Sequence, residues 1–371
     1  GILYQVLAQT NIFYGVNSGL VTLSSYRPHE NAELFTILQS VPLIFLAGSF
    51  LGKERKMDSM DTVYYRPESN ADYVVGMMLG FTKTFMTMAG ISLVIGMLLH
   101  IFASESPFNF WLYPFYWLTI IFPALVFALG FSFFIHTWVR HRGLGILILL
   151  VVFGVFLFQL GKVREGLFDP FGLSLPNAFS EVTGHPGMAL YLMQRVCWLF
   201  VGMGFAGLAV LMFQRLPNRP VNRKRVMIVA IGCLVLGGLF GGVVYMAREN
   251  VESVRELYAE TYNKYQKFPK GNVVSNTLEV EQKGNVLSGK STLLVKNQGD
   301  QELSEIILYL NPALVVSAIQ EGETDVSFER ENQVIRVARK LLPGEEVELT
   351  VEYRGGIDER VCYLVVDFDK L

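Results

Sequence analysis

Charge is what this chain has least of where it matters. Only 17% of its 371 residues are charged, while 51% are hydrophobic. Residues 1–247 hold 27 of the 64 charged residues; residues 248–371 hold the other 37. There are 3 cysteines, too few for a disulfide scaffold, and 5 histidines. No large basic excess exists: the first part sums to +5, the second to −7, the whole to −2. That excludes a nucleic-acid partner, and the apolar content excludes a disordered chain. A single water-soluble globule is excluded by the asymmetry between the parts.

What is present is a series of six apolar runs, at 34–51, 76–102, 111–137, 143–160, 190–213 and 226–247. Each approaches the ~20 residues a helix needs to cross hydrocarbon. Helices are expected because lipid leaves no other partner for the backbone N–H and C=O groups. The first run is diluted by Gln39, Ser40 and Pro42. Basic residues give the orientation. If the first run goes inward, segments 52–75, 138–142 and 214–225 are inner. They carry eleven Lys and Arg, against three (Arg27, Lys162 and Arg164) in the outer segments 1–33, 103–110 and 161–189. The expected fold class is therefore an α-helical polytopic membrane bundle of about six transmembrane helices, followed by an all-β antiparallel extracytoplasmic domain. The basic loop 214–225 lies inside, 226–247 returns outward, and membrane lipid is the surrounding partner.

Beyond Ala247 the character changes. Val251, Val254, Tyr258, Tyr262 and Tyr265 repeat at spacings of three and four, which predicts a helical linker over 248–271 that the Phe268-Pro269-Lys270-Gly271 break ends. Alternating segments follow at Thr277–Val280, Ser291–Val295, Ile306–Leu310, Val334–Val337 and Val347–Tyr353. Turn signals separate them at Lys283-Gly284-Asn285, Asn297-Gln298-Gly299-Asp300 and Leu342-Pro343-Gly344-Glu345, so 272–371 reads as one antiparallel β-domain.

The stretch from Gly52 to Gly80 carries a charged segment with Glu54, Arg55 and Asp58, then Arg66-Pro67-Glu68-Ser69, then a Gly76-Met77-Met78-Leu79-Gly80 helix start. On composition alone it is a solvated charged loop. It also resembles the cytoplasmic coupling segment of ABC-2 type transporter permeases. The resemblance implies that 34–213 is a permease core of five spans lacking its first, and that 226–247 is an additional transmembrane helix. It implies a coupling loop built on Glu54, Arg55, Asp58, Arg66 and Pro67, docked by a separate cytoplasmic ABC ATPase subunit. ATP would bind that partner, and this chain would carry no cofactor of its own. A second permease half or a homodimer is implied, in a multi-pass protein of the bacterial inner membrane with its C-terminal domain in the periplasm.

The β-domain has an ordered set of its own: Leu278–Glu281, Leu287-Ser288-Gly289, Ile306–Leu310, Leu342-Pro343-Gly344-Glu345 and Val351-Glu352-Tyr353-Arg354-Gly355. This set resembles the N-terminal β-domain of the aminopeptidase N family of zinc peptidases. The resemblance implies a longer permease and aminopeptidase chain, with zinc held outside this segment. The chain's start in an outer segment and its stop after an apolar run read the same way. The catalytic signature is absent here: His29-Glu30-Asn31-Ala32-Glu33 begins like HExxH but has Glu33 where the second zinc-binding histidine belongs. No catalytic residue and no metal site are expected. Gly284 to Ser291 fits the phosphate-loop pattern letter for letter, but a strand and turn follow where a phosphate site needs a helix.

Three polar residues in the apolar runs, Lys83, Arg195 and His136, sit near run ends, where snorkelling is expected. No disulfide is expected from Cys197, Cys233 and Cys362. The glycines of 226–247 include two GxxxG spacings that permit close helix packing. Two other functions fit the same features. One is a membrane-anchored zinc aminopeptidase whose catalytic part lies outside this chain; the other is a non-transporting membrane scaffold.

Overall fold

The computed structural model describes residues 23–53, 69–104, 106–139, 141–163, 166–174, 179, 184–185, 187–213, 222–284 and 286–361. Two compact units divide at 248/249. The first is helical: α1 (Tyr26–Lys53), α2 (Asn70–Ala103), α3 (Leu112–Trp138), α4 (Arg142–Phe158), α5 (Met188–Met212) and α6 (Arg223–Tyr265), whose last residues belong to the second unit. Within α3, Trp117–Ile121 forms a π-helical turn just before Pro123, a residue with no N–H to give to the helix.

Among the described residues, five helices are long and apolar enough to cross a membrane, not six. The run at 143–160 forms α4, an apolar helix of only 17 residues that gives way at Gln159 to a 3-10 turn, Leu160–Lys162. The first run is longer than hydropathy indicated. Residues 26–33, assigned to an outer segment, are the first two turns of α1, concealed by their polar side chains.

These helices turn apolar side chains outward, and α1 turns its polar ones inward. On α1 the polar residues Arg27, Asn31, Thr36, Gln39 and Ser40 are buried, while Ile37, Leu38, Val41 and Phe45 are exposed. Spacings of four place Arg27, Asn31 and Gln39 on one face. Along α2 and α6, Leu79, Ile91, Ile228 and Leu239 face outward in the same way.

Glycine notches set the helix crossings. Gly130 of α3 and Gly202 of α5 meet backbone to backbone; a Cβ on Gly202 would stand 2.6 Å from Phe127 Cα. Beside this crossing lies an aromatic cluster of Phe127, Phe153, Phe171 and Trp198, with the Phe127 and Trp198 rings edge to face at 4.9 Å. His136 fills a second notch between Gly48 of α1 and Gly145 of α4, and its Nε2 lies 3.2 Å from the Ile44 carbonyl. The two GxxxG spacings of α6 diverge: Gly237 and Gly241 lie against Cys197 and Val201 of α5, whereas Gly238 and Gly242 have nothing within 4 Å.

The second unit is a two-sheet sandwich with the end of α6 laid on it. One sheet has the order β1 (Asn272–Lys283), β2 (Val286–Lys296), β8 (Glu346–Gly355), β4 (Leu314–Glu321), β5 (Thr324–Asp325). The other has the order β3 (Ile306–Tyr309), β7 (Val334–Val337), β6 (Phe328–Glu331). All pairings between these strands are antiparallel. Alternation on β8 sends Val347, Leu349, Val351 and Tyr353 to the core, where they meet Ile306, Leu308, Ile335 and Val337 of the second sheet. Three strands escaped the sequence reading. β4 breaks its alternation at a register shift between Val316 and Ala318, β5 has two residues, and β6 is the charged edge Phe-Glu-Arg-Glu.

Gly202→Ala is expected to destabilise the helical unit by about 1–3 kcal/mol, the usual range for an overpacked core. Gly242→Ala, with open space around it, should be neutral or mildly stabilising because alanine favours helix. Thermal unfolding in detergent, followed by fluorescence, checks both.

Candidate functional site

The proposed coupling residues Glu54, Arg55, Asp58, Arg66 and Pro67 lie outside the described residues; their two anchor points do not. On the entry side, Ala47 of α1 is buried; on the exit side, so is Val74 of α2. Both belong to one cluster with Phe133 of α3 and Ala209, Val210 and Phe213 at the end of α5. The Tyr73 and Phe213 rings stack at 5.6 Å. Ser69, the last residue of the Arg66–Ser69 stretch, caps α2: its Oγ accepts from Asp72 N at 3.1 Å, while Asp72 Oδ2 accepts from Ser69 N at 3.0 Å. This reciprocal box satisfies N–H groups that the helix cannot. Arg142 Nη2 donates to Ser49 Oγ at 3.0 Å, tying the start of α4 to α1. The helix ends on either side of residues 54–68 are thus held in one core.

The polar face of α1 is the feature the sequence reading missed. Arg27 pairs with Glu30 at 3.3 Å, and His29 Nδ1 lies 3.5 Å from Glu33. Thr36 and Ser40 donate to carbonyls one turn back. Gln39 is 3% exposed, and neither atom of its amide has a partner among the described residues. The polar face's signal in the sequence is the pair Gln39 and Ser40, which interrupts an otherwise apolar run. Where the apolar face looks outward, such residues mark the inward one. His29 and Glu33 come together, but no group of three His, Cys, Asp or Glu able to hold a metal occurs among the described residues.

Of the three polar residues expected to snorkel, Lys83 is exposed, whereas Arg195 and His136 are buried. Arg195 is buried because the loop after α4 folds over it. Its Nη2 donates to the Asp169 carbonyl at 2.7 Å and its Nε to Gln194 Oε1 at 2.9 Å. The Asp169 carboxylate in turn accepts from the N–H groups of Phe171, Gly172 and Ser174. Gly172 has φ +80°, and the Arg195 guanidinium occupies the space a Cβ would need. His136 is buried in its glycine notch instead of reaching the helix end. At the opposite end of α2, His100 binds Tyr113 Oη at 2.8 Å and Ser106 Oγ at 3.0 Å, closing the connection to α3.

In the β-domain, the motif glycines have physical reasons. Gly289 faces Tyr353 across β2 and β8, and the Tyr353 ring lies over it where any side chain would collide. Gly355 backs onto the Ala313 carbonyl. Pro343 and Gly344 are the central residues of a turn closed by Glu345 N donating to the Leu342 carbonyl, with Gly344 at φ +77°. The phosphate-loop-like stretch is a hairpin: Gly284, φ +62°, turns β1 into β2, and no helix follows.

The end of α6 is clasped to the β3–β7–β6 sheet. Tyr258 Oη donates to Asp358 at 2.8 Å, Gln333 Nε2 to the Tyr258 carbonyl at 2.6 Å, and Asn332 Nδ2 to Thr261 at 2.8 Å. Lys264 and the Tyr265 hydroxyl both converge on Glu331. Beneath them Tyr265 packs on Ile307 and Val334. Two hydrogen bonds from the Arg360 guanidinium, helped by Tyr258, hold the Asp358 carboxyl down at about 2. A depressed carboxylate stabilises the fold above its unfolded value near 4, and that contribution disappears as pH falls toward 2. Thermal stability of the β-domain should therefore fall between about pH 4 and pH 2. Asp358→Asn should flatten that step, as measured by circular dichroism melts.

No protein-family model matches the chain, and no curated protein does. Among solved structures, it is similar to a two-domain M1 zinc metallopeptidase variant bound to L-tryptophan. The identity is 30%, with 24% of this chain and 21% of that one covered, at a TM-score of 0.22. The same enzyme bound to L-arginine gives 30% identity, the same coverage and a TM-score of 0.21. The chain thus spans about a fifth of the length of the structures it matches.

Proposed function

We propose that the chain is the membrane-spanning permease part of an ABC transporter. A separate cytoplasmic ATPase would drive it by pushing on the 54–68 loop, and the β-domain would lie on the extracytoplasmic side. The observation that carries the reading is the inside-out helical unit: five helices of spanning length with apolar side chains outward and α1's polar stripe inward. That pattern suits lipid as solvent and provides a polar interior for a solute. The Lys and Arg excess of 52–75, 138–142 and 214–225 supports an inner placement of these segments. Anchoring of both loop ends in one core supports transmission of a push from Glu54, Arg55, Asp58, Arg66 and Pro67 into α1 and α2.

Arg55→Ala combined with Arg66→Ala, in the full-length protein in lipid nanodiscs with its ATPase, should lower stimulated ATP turnover about tenfold. That is the equivalent of about 1.4 kcal/mol on the barrier of the stimulated step. Unchanged stimulation would remove the loop from the mechanism. Single cysteines placed near Arg223 and in the β-domain should label from opposite faces of sealed vesicles.

The second reading, a membrane-anchored zinc aminopeptidase, is favoured by the β-domain's ordered motifs. In that case, a longer chain carrying HExxH should hydrolyse peptides in a chelator-sensitive way, while this segment alone should not. A scaffold, the third, would co-purify with no ATPase.

A further inference from the structure

The clasp between the end of α6 and the β-domain leaves a groove with a cavity volume of about 660 Å³, within the size range of small-ligand sites. Two tyrosine rings line it, and a lysine that is not itself a lining residue stands over them. Tyr262 and Tyr309 present half-exposed rings, 6.0 Å apart between centroids and tilted by 48°. Neither hydroxyl makes a hydrogen bond among the described residues, and nor does the Asn263 amide. Lys270 Nζ stands 4.8 Å from the Tyr309 ring centre and 5.7 Å from that of Tyr262, with no carboxylate partner among the described residues.

One atom points to a ligand independently of this rim. Gln333 lines the same groove and is only 8% exposed. Its Nε2 is committed to the Tyr258 carbonyl, and its buried Oε1 has no partner. A buried acceptor left unmet costs free energy, so a donor that reaches it gains correspondingly. The complement of the groove is then defined: an N–H for Gln333 Oε1, a carboxylate for Lys270, and an apolar or planar surface for two tyrosine rings. The acidic partner of this region, Asp358, is already matched by the two-pronged contact from Arg360.

We infer that this groove binds the acidic segment of a peptide, with a backbone N–H on Gln333 and a side-chain or terminal carboxylate at Lys270. A peptide offers the amide donor and the carboxylate at a short fixed spacing. Tyrosine and arginine are also the residues that most often anchor polypeptide contacts. The site is distinct from the coupling loop and does not depend on whether the chain transports anything.

Isothermal titration calorimetry on the full chain in detergent tests it, with acetyl-Ala-Glu-Ala as probe and acetyl-Ala-Gln-Ala-amide as its uncharged counterpart. The acidic tripeptide should bind, and its counterpart should bind about tenfold more weakly or not at all, the equivalent of about 1.4 kcal/mol. Lys270→Gln and Asn263→Ala, both at exposed positions, should weaken the acidic probe without changing the melting curve. Lys270→Glu should abolish it. Absence of binding, equal binding of the two tripeptides, or affinity unchanged by Lys270→Glu would overturn the proposal. Two further results would also overturn it. Tighter binding of glucuronate than of the tripeptide would assign the groove to a saccharide. Binding only by a chain shortened to Val361 would assign it to the chain's own following segment.

Discussion

The helical unit depends on one close approach, that of α3 and α5 at Gly130 and Gly202. With no side chain at either position, the two backbones touch, and the aromatic side chains around them close into a single layer. Dispersion between closely packed atoms is the main attraction available to helices whose outer faces are as apolar as their inner ones. Two further contacts repeat the device with a polar filler: His136 against Gly48 and Gly145, and Asn31 against Gly96. In each case glycine makes room and a neighbour's side chain fills it.

Polar residues in this unit serve two different ends. Arg195, Gln194 and Asp169 fix the loop after α4 through Arg195 Nε and Nη2 and the Gln194 amide, so a buried charge there reports architecture. The stripe on α1 is less completely matched, since Gln39 is buried with an idle amide. The difference lies in the partners. A guanidinium met by a carbonyl and an amide is a structural element, whereas an unmatched amide inside the bundle is available to water or a solute.

The β-domain and the last turns of α6 form a unit through a mixed interface. Tyr265 gives it an apolar centre, and a ring of hydrogen bonds from Tyr258, Thr261, Lys264 and Gln333 fixes its register. The same arrangement, which locks the helix to the sheet, leaves Tyr262 and Asn263 on the free side of the helix. The groove follows from that geometry: one face of α6 is consumed by the clasp and the adjacent face lines the opening.

Much of this was legible in the chain itself. The apolar runs located the helices, because a helix of spanning length needs an unbroken apolar stretch. Alternation located β2, β3, β7 and β8, because successive strand side chains face opposite ways. The Pro343-Gly344 turn and the Gly284 hairpin were legible because only a few residues tolerate their dihedral angles. Tertiary contacts alone decided the rest. Whether Arg195 and His136 reach for the interface or stay inside depended on the Asp169 loop and the Gly48 and Gly145 notches, which are distant in sequence. That Gly237 and Gly241 are used while Gly238 and Gly242 are not depended on which side of α6 meets α5. A sequence specifies what each residue can do; which of those capacities is used is decided by the neighbour that packing supplies.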